Sequence, residues 1–415
     1  LENESSKMLA RAEDTDALFF DANGDGVADL YVVSAGNEYD NGQVFTYDRL
    51  YINDGRGNLR FAPRALPQIG THGKKITAAD IDRDGDMDLF VAANIVKGAY
   101  GLNPRHQLLI NNGRGQFSDG TTQLMPEADA LGMLNDAVWL DYDADGDQDL
   151  LAAGEWTALT LLENDGKGRL TRVEPKGFED TEGMWMSLAT TDLDGDGDLD
   201  IVAGNYGLNT KLKASVEKPL SLFVNDFDGN GQADPVIFHY VQEAQIPFAT
   251  RDDLIKQMAF IKKKHPDYAS YAKVSSPKDL FESEKLKSAL TRQVHELSSV
   301  VMINNGGSFQ KLQLPNEAQL SPVMDILTSD VNGDGIMDLL LAGNFFGFRN
   351  DIGQASAQPL TLLLGNGNGE FRLSNQAELN NQVTRGEYRK SGQMNLNKFL
   401  LLRNNDFPLI LSFSK

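Results

Sequence analysis

One nine-residue pattern, D-x-[DN]-x-[DN]-G-x-x-D, occurs six times in this chain, beginning at residues 21, 80, 141, 192, 226 and 330. In the third copy, DYDADGDQD, aspartates stand at 141, 143, 145, 147 and 149. Carboxylates this close repel one another, and a fold that gathers them needs a cation to cancel the charge. The spacing suits Ca²⁺, a hard ion that takes roughly six to eight oxygens. Positions 1, 3 and 5 offer side-chain oxygens, the glycine at 6 permits a sharp turn, position 7 offers a backbone carbonyl, and the acid at 9 closes the ring. An EF-hand loop would continue to a glutamate at position 12 between helices. Here the flanks are short β-prone runs, such as VWL before 141 and LYVV after 29, so each loop is expected to join two strands. A metal-free Asp/Gly hairpin turn would explain any one copy. Six copies in one register argue for metal. The copies at 80, 141 and 192 carry five aspartates each and should bind most strongly; those at 21, 226 and 330 carry Asn at position 3 or 5.

Each loop opens a longer unit. After it comes a strand (DLYVVS, DLFVAAN, DLLAAG, DIVAGN, DLLLAGN), a variable connection, and another strand ending in a glycine turn such as LINNGRGQF at 109–117 or LENDGKGRL at 162–170. N-G and D-G between apolar runs are hairpin signals. The repeat reads as four strands, A–loop–B–connection–C–turn–D, and loop starts 59, 61 and 51 residues apart suit propeller blades. The expected fold is therefore all-β: a calcium-binding β-propeller occupying 1–415 as one domain. Seven blades are favoured, with six or eight as alternatives. The step of 34 residues from 192 to 226 reads as a truncated or merged fourth blade. The step of 104 to 330 marks an insertion, placed at 243–298 within the fifth blade. Residues 385–413 hold two or three strands without an acidic loop, and residues 1–15 are expected to supply the strand that closes the ring.

The loops hold 24 of the 60 acidic residues in a chain of net charge −22, and six Ca²⁺ would leave about −10. Metal explains most of the acidity. The absence of cysteine excludes a disulfide framework and Cys–zinc sites. With no broad basic face, nucleic acid is not expected as a partner. No apolar run approaches the length of a membrane span, so no transmembrane segment is expected. Loops of this kind suit the millimolar calcium of a periplasm or cell exterior.

At these loops the chain resembles the FG-GAP/VCBS repeat family, whose unit integrin α-subunit propellers share. FFDANGDGVADLYVVSAGNEYD, AGNYGLNTKLKAS and QLSPVMDILTSDVNGDGIMDLLLAGN are similar to bacterial VCBS proteins related to cartilage acidic protein. That resemblance implies export, often with a lipid anchor at the outer membrane, and up to six Ca²⁺. It also implies a ligand set. Side chains would come from Asp21, Asn23, Asp25 and Asp29; Asp80, Asp82, Asp84 and Asp88; Asp141, Asp143, Asp145 and Asp149; Asp192, Asp194, Asp196 and Asp200; Asp226, Asp228, Asn230 and Asp234; and Asp330, Asn332, Asp334 and Asp338. Carbonyls would come from Val27, Asp86, Asp147, Asp198, Gln232 and Ile336. The ASPIC/UnbV segment that often accompanies such repeats is not found in the sequence, so a longer parent protein is expected.

In a four-stranded meander the A–B and C–D turns share one face, and the B–C and D–A connections share the other. The first face holds the acidic loops and is expected to be structural. The second holds long connections with aromatics, including Tyr39, Trp156, Tyr206, Phe345, Phe346 and Phe348, and is expected to bind a glycan or a surface or outer-membrane protein. The insertion reads as two helices, RDDLIKQMAFIKKK capped by Thr250 with Asp253, and SPKDLFESEKLKSALTRQVHEL from Ser276–Pro277. It is basic, with Lys262, Lys263 and Lys264 as a candidate docking patch, and an intramolecular dock on the acidic propeller is the plainer alternative. Nucleophile elbow, P-loop and zinc spacings are missing from the sequence. A non-catalytic binding module, including a subunit of an outer-membrane complex, is favoured over a calcium-dependent polysaccharide lyase or other carbohydrate-active enzyme. His72 and His106 are the mild candidates for a lyase base.

Overall fold

The computed structural model describes residues 12–36, 38–40, 42–347, 353–374, 386–395 and 398–412. Most of the strand expected to close the ring, in 1–15, and Phe348 lie outside these residues. Nearly all of the regular structure is strand, gathered into seven small antiparallel sheets among the described residues. Six succeed one another along the chain. Sheet I covers residues 13–61, sheet II 73–119, sheet III 133–184, sheet IV 187–204 with 300–313, sheet V 323–373 and sheet VI 388–412. Four of the six have four strands in simple meander order, sheet III has five, and sheet VI has three.

The packing is propeller-like. The first strand of each sheet lies beside the first strand of the next, from sheet I through sheet VI. A separate apolar layer fills each gap between successive sheets. Tyr31, Leu50 and Leu89 fill the first gap and Phe90, Leu108 and Leu150 the second. Leu161, Trp185 and Ile201 fill the third, Val202, Val301 and Leu339 the fourth, and Leu340, Phe399 and Leu411 the fifth. Each interior sheet is thus covered on both faces. That is why second strands such as DLFVAA, DIVAG and DLLLAG are continuous apolar runs, buried at every position, instead of alternating.

The seventh sheet stands outside this series. Strand Asp200–Gly204 of sheet IV pairs with Val300–Asn304, and the chain between them makes an excursion. Within it, Ala244–Pro247, Asp234–Val241, Leu220–Asn225 and Leu290–Val294 form a sheet in that order. The fifth acidic loop, 226–234, joins two strands of this inserted sheet. The spacing from 192 to 226 therefore reflects an inserted sheet between strands B and C of the fourth unit, and the 243–298 segment is only its second half. Helix Arg251–Gln257 begins as expected, with Thr250 Oγ1 accepting from the Asp253 N–H, but extended backbone at Met258 splits the expected helix, which resumes only as Phe260–Lys264. The second expected helix is cut short: a single α-turn at Ser283–Lys287 gives way to strand Leu290–Val294, whose backbone pairs along Leu220–Asn225. Pairing with a free sheet edge outweighs the local helix propensity of LTRQV.

Candidate functional site

All six acidic loops close first-to-second-strand hairpins, and one hydrogen-bond scheme builds each. The aspartate at position 1 folds the loop over itself. Asp21 accepts from the N–H groups of Gly24 at 2.8 Å and Gly26 at 2.7 Å, and Asp330 from Gly333 and Gly335 at 2.7 and 3.0 Å. Side chains at position 5 accept from the N–H at 7, as in Asp145 from Asp147 at 3.0 Å. The aspartate at 9 is buried in every copy, at most 3% exposed. One oxygen takes the N–H at position 2. In five loops the other takes the N–H at or just after the end of the third strand, as Asp149 does from Tyr142 at 3.3 Å and Asn164 at 2.8 Å. This acid ties loop, first hairpin and third strand together.

Those contacts leave the cluster short of positive charge. Carboxylate oxygens converge within 4.8 Å in four loops: Asp80, Asp82 and Asp84; Asp141, Asp143 and Asp149; Asp192, Asp194 and Asp200; Asp226, Asp228 and Asp234. Burial, joined by neighbouring acids, pushes Asp88 and Asp149 up to about 7 and Asp200 up to about 6. An oxygen of Asp82 is buried without a hydrogen-bond partner. Such a donor set fits a hard cation, which would supply the missing charge. In the loops at 21 and 330, Asn23 and Asn332 put an amide oxygen where the others carry a carboxylate. The side chains of Asp86 and Asp147, residues expected to contribute only carbonyls, each have one buried oxygen left unpartnered, and they face the glycine turns at Gly113 and Gly166 of their own sheets.

A second device couples the loops to their neighbours. Asn111 donates to the Ala22 carbonyl at 3.0 Å, Asn164 to Ile81 at 2.8 Å and Asn304 to Tyr142 at 2.8 Å. Each is a buried asparagine at the end of a third strand, bonded to position 2 of the loop in the preceding sheet. These residues, read as ordinary hairpin-turn asparagines, are latches between sheets.

The opposite face carries a cavity of about 640 Å³. It lies where first strands begin, one strand length from the acidic loops. In the first strands of sheets I, II, III, V and VI the pairing skips one residue: Thr15, Lys74, Asn135, Met324 and Arg389. Such bulges re-aim a side chain, and four of these five, with Met186 just before sheet IV, line the cavity. The next residues, Asp16, Lys75, Asp136, Asp325 and Lys390, form a charged belt along the inner strands. Lys75 pairs with Asp136 at 3.1 Å, and Asp16, Asp136 and Asp325 accept backbone N–H groups from the following sheet at 3.1, 2.9 and 2.6 Å.

Among the aromatics expected on this face, Tyr100, Trp156, Tyr206 and Phe345 line the cavity. Trp156 Nε1 donates to the Tyr100 hydroxyl at 2.8 Å, which donates to Glu155 at 2.6 Å. Burial and then Glu155 hold the Tyr100 phenol well above its usual range. Arg389 lies 5.0 Å over the Phe345 ring and pairs with Glu387 at 2.5 Å. Tyr39 instead packs on Phe45 at 4.6 Å, and Phe346 gives its backbone N–H to Glu387; neither lines the cavity. The inserted sheet and its first helix supply a wall, through Ile237, Phe248 and Gln257. Lys262, Lys263 and Lys264 are exposed and lie away from the cavity, with Lys264 donating to the Leu280 carbonyl at 3.1 Å. His72 and His106 are buried and do not reach it. The cavity residues had a signal in the sequence: Lys74, Asn135, Met186 and Met324 each stand six residues before the first aspartate of a loop.

Comparison with known proteins agrees with the repeat reading. The FG-GAP-like repeat model matches residues 18–91 and 141–203. No curated protein matches the chain. Among solved structures it is similar to an Agrocybe aegerita lectin described as recognising non-reducing terminal N-acetylglucosamine, at 17% identity and TM-score 0.35, over 88% of this chain and 80% of that one. It is also similar to the V. cholerae biofilm matrix protein Bap1, at 10% identity and TM-score 0.37 over 95% and 76%. A third likeness is to rhamnogalacturonan lyase YesW, at 12% identity and TM-score 0.34 over 97% and 72%.

Proposed function

We propose, for a chain whose FG-GAP-like repeats assign it to the FG-GAP-repeat family, a calcium-stabilised, non-catalytic module of the cell exterior or periplasm that binds a glycan through the face opposite its acidic loops. The cavity carries this reading. It has the volume of a small-molecule site, and it sets aromatic rings beside a few convergent polar groups, Lys74, Asn94, Glu155 and Arg389. Calcium would be held by the aspartates and asparagines of the six loops, where it would supply charge neutralisation. The loops, latches and buried position-9 acids then hold sheets in register, and the bulged strand starts present the binding groups from a rigid frame.

Saturation-transfer NMR against an oligosaccharide panel, in millimolar Ca²⁺, tests the reading. At least one glycan should receive saturation from the protein, and Met324→Trp, which fills the cavity from a bulge, should abolish it. Saturation of no glycan, or saturation indifferent to Met324→Trp, would remove the glycan reading. A stoichiometric protein recovered on the same face would put a partner subunit in its place.

A further inference from the structure

We infer that the glycan taken by this cavity is anionic, its carboxylate or sulfate ester held by Lys74 with Arg389 alongside; the inference rests on the glycan-binding reading above. Both cations are bulge residues at the starts of inner strands, one in sheet II and one in sheet VI, and both line the cavity. Their partners differ. Arg389 is paired with Glu387 and stacked on Phe345. Lys74 makes no hydrogen bond or salt bridge with the described residues, and its side chain is open to the solvent of the cavity while protein surrounds it. The lining carboxylate, Glu155, already accepts the Tyr100 hydroxyl.

Among the described residues the lysine is therefore a donor without an acceptor in a concave site. Its surroundings on balance disfavour its charge: burial, then Arg389 and Lys390, push the ammonium below its ordinary value against a weaker pull from Glu155 and Asp16. An anion placed there satisfies three N–H donors and relieves the repulsion at once. The positive spot is also local, since the whole chain carries −22. Long-range attraction of a polyanion is thus weak, and recognition depends on the pocket itself. The aromatic residues that line the cavity with the cation, Tyr100, Trp156, Tyr206 and Phe345, suit a sugar acid better than an acidic peptide.

Isothermal titration of the full chain in millimolar Ca²⁺ decides. The probes are galacturonate trimer, neutral galactose trimer, a sulfated galactose trimer and a polyglutamate peptide. The charged sugars should bind at least about tenfold more tightly than the neutral one, and Lys74→Met should remove about tenfold of that affinity. Lys74→Arg should restore it, and binding should weaken with salt. Preference for galacturonate would assign a carboxylate, and preference for the sulfated trimer a sulfate. Equal binding of charged and neutral sugars, unchanged in Lys74→Met, would overturn the inference and leave the glycan reading intact. Polyglutamate binding as tightly as the charged sugars would overturn it in favour of a peptide. Binding of no sugar, charged or neutral, would overturn both.

Discussion

His106 gives a test of the fold that does not depend on ligand or metal. The side chain is fully buried, 6.1 Å from the Phe90 ring. Its Nδ1 accepts the Ala93 N–H at 3.0 Å, and its Nε2 lies 3.1 Å from the Gly132 carbonyl. A backbone N–H can only donate, so the ring must be the neutral tautomer with its proton on Nε2. A second proton would set N–H against N–H. Burial accordingly pushes the imidazole down to about 4, although the Gly132 carbonyl pulls the other way. In the unfolded chain it would titrate near 6.5. A folded value below the unfolded one means a stabilising contribution that is complete above about 6.5 and is lost as pH falls towards 4. The gap corresponds to about 3 kcal/mol. Urea unfolding followed by circular dichroism, at several pH values, should be run on the wild type and on His106→Gln, whose amide keeps a donor and an acceptor but does not titrate. The wild type should lose about 3 kcal/mol more than the variant between neutral pH and pH 4. Parallel profiles would show that this histidine is not held neutral, and the tautomer argument would fail.

Other outcomes follow from other parts of the molecule. Asn304→Ala removes the latch to Tyr142 and leaves a buried carbonyl and the Gly307 N–H without their partner, so urea unfolding should report a loss of about 3 kcal/mol; a change below about 0.5 kcal/mol would mean the latch is idle. Deleting 206–298 is sterically simple, since the Asn205 N–H already touches Ser299 Oγ at 2.9 Å. It should lower the melting temperature and expose dye-binding surface, because Leu220, Leu222, Val294 and Leu297 cover Met133, Trp156 and Met184; an unchanged melt would show that the insertion merely rests on the sheets. Incubation with uronate polymers should yield no ultraviolet-absorbing unsaturated product, and its appearance would replace the binding module with a lyase.

Much of this arrangement was legible because a metal-binding loop fixes its own residues. The D-x-[DN]-x-[DN]-G-x-x-D pattern marks the end of one strand and the start of the next, so the hairpins follow from spacing. Counting units was less secure. The loop at 226–234 has the same local chemistry as the others, and nothing nearby tells that the strand before it pairs with Leu290–Val294 instead of joining the series; that pairing is non-local. The second expected helix failed for the same reason, since SALTRQV is decided by a distant edge strand and not by its own propensity. Asn164 in LENDGKG reads as a turn residue, yet its amide reaches Ile81 in the preceding sheet. Lys74 is marked only by standing six residues before a loop, and Arg389 precedes no acidic loop at all. Their placement comes from a bulge, which appears only when register is known.

The most direct test of metal-held hairpins is a thermal melt followed by circular dichroism in excess EDTA, and again after Ca²⁺ is restored. Each site occupied at a hundredfold above its dissociation constant adds about 2.7 kcal/mol to the folded state. Chelation should therefore lower the melting temperature by many degrees, and Ca²⁺ should restore it where Mg²⁺ does so poorly. A melt that is the same with and without the chelator would contradict structural calcium, and the six acidic loops would then be hairpins that fold on their own hydrogen bonds.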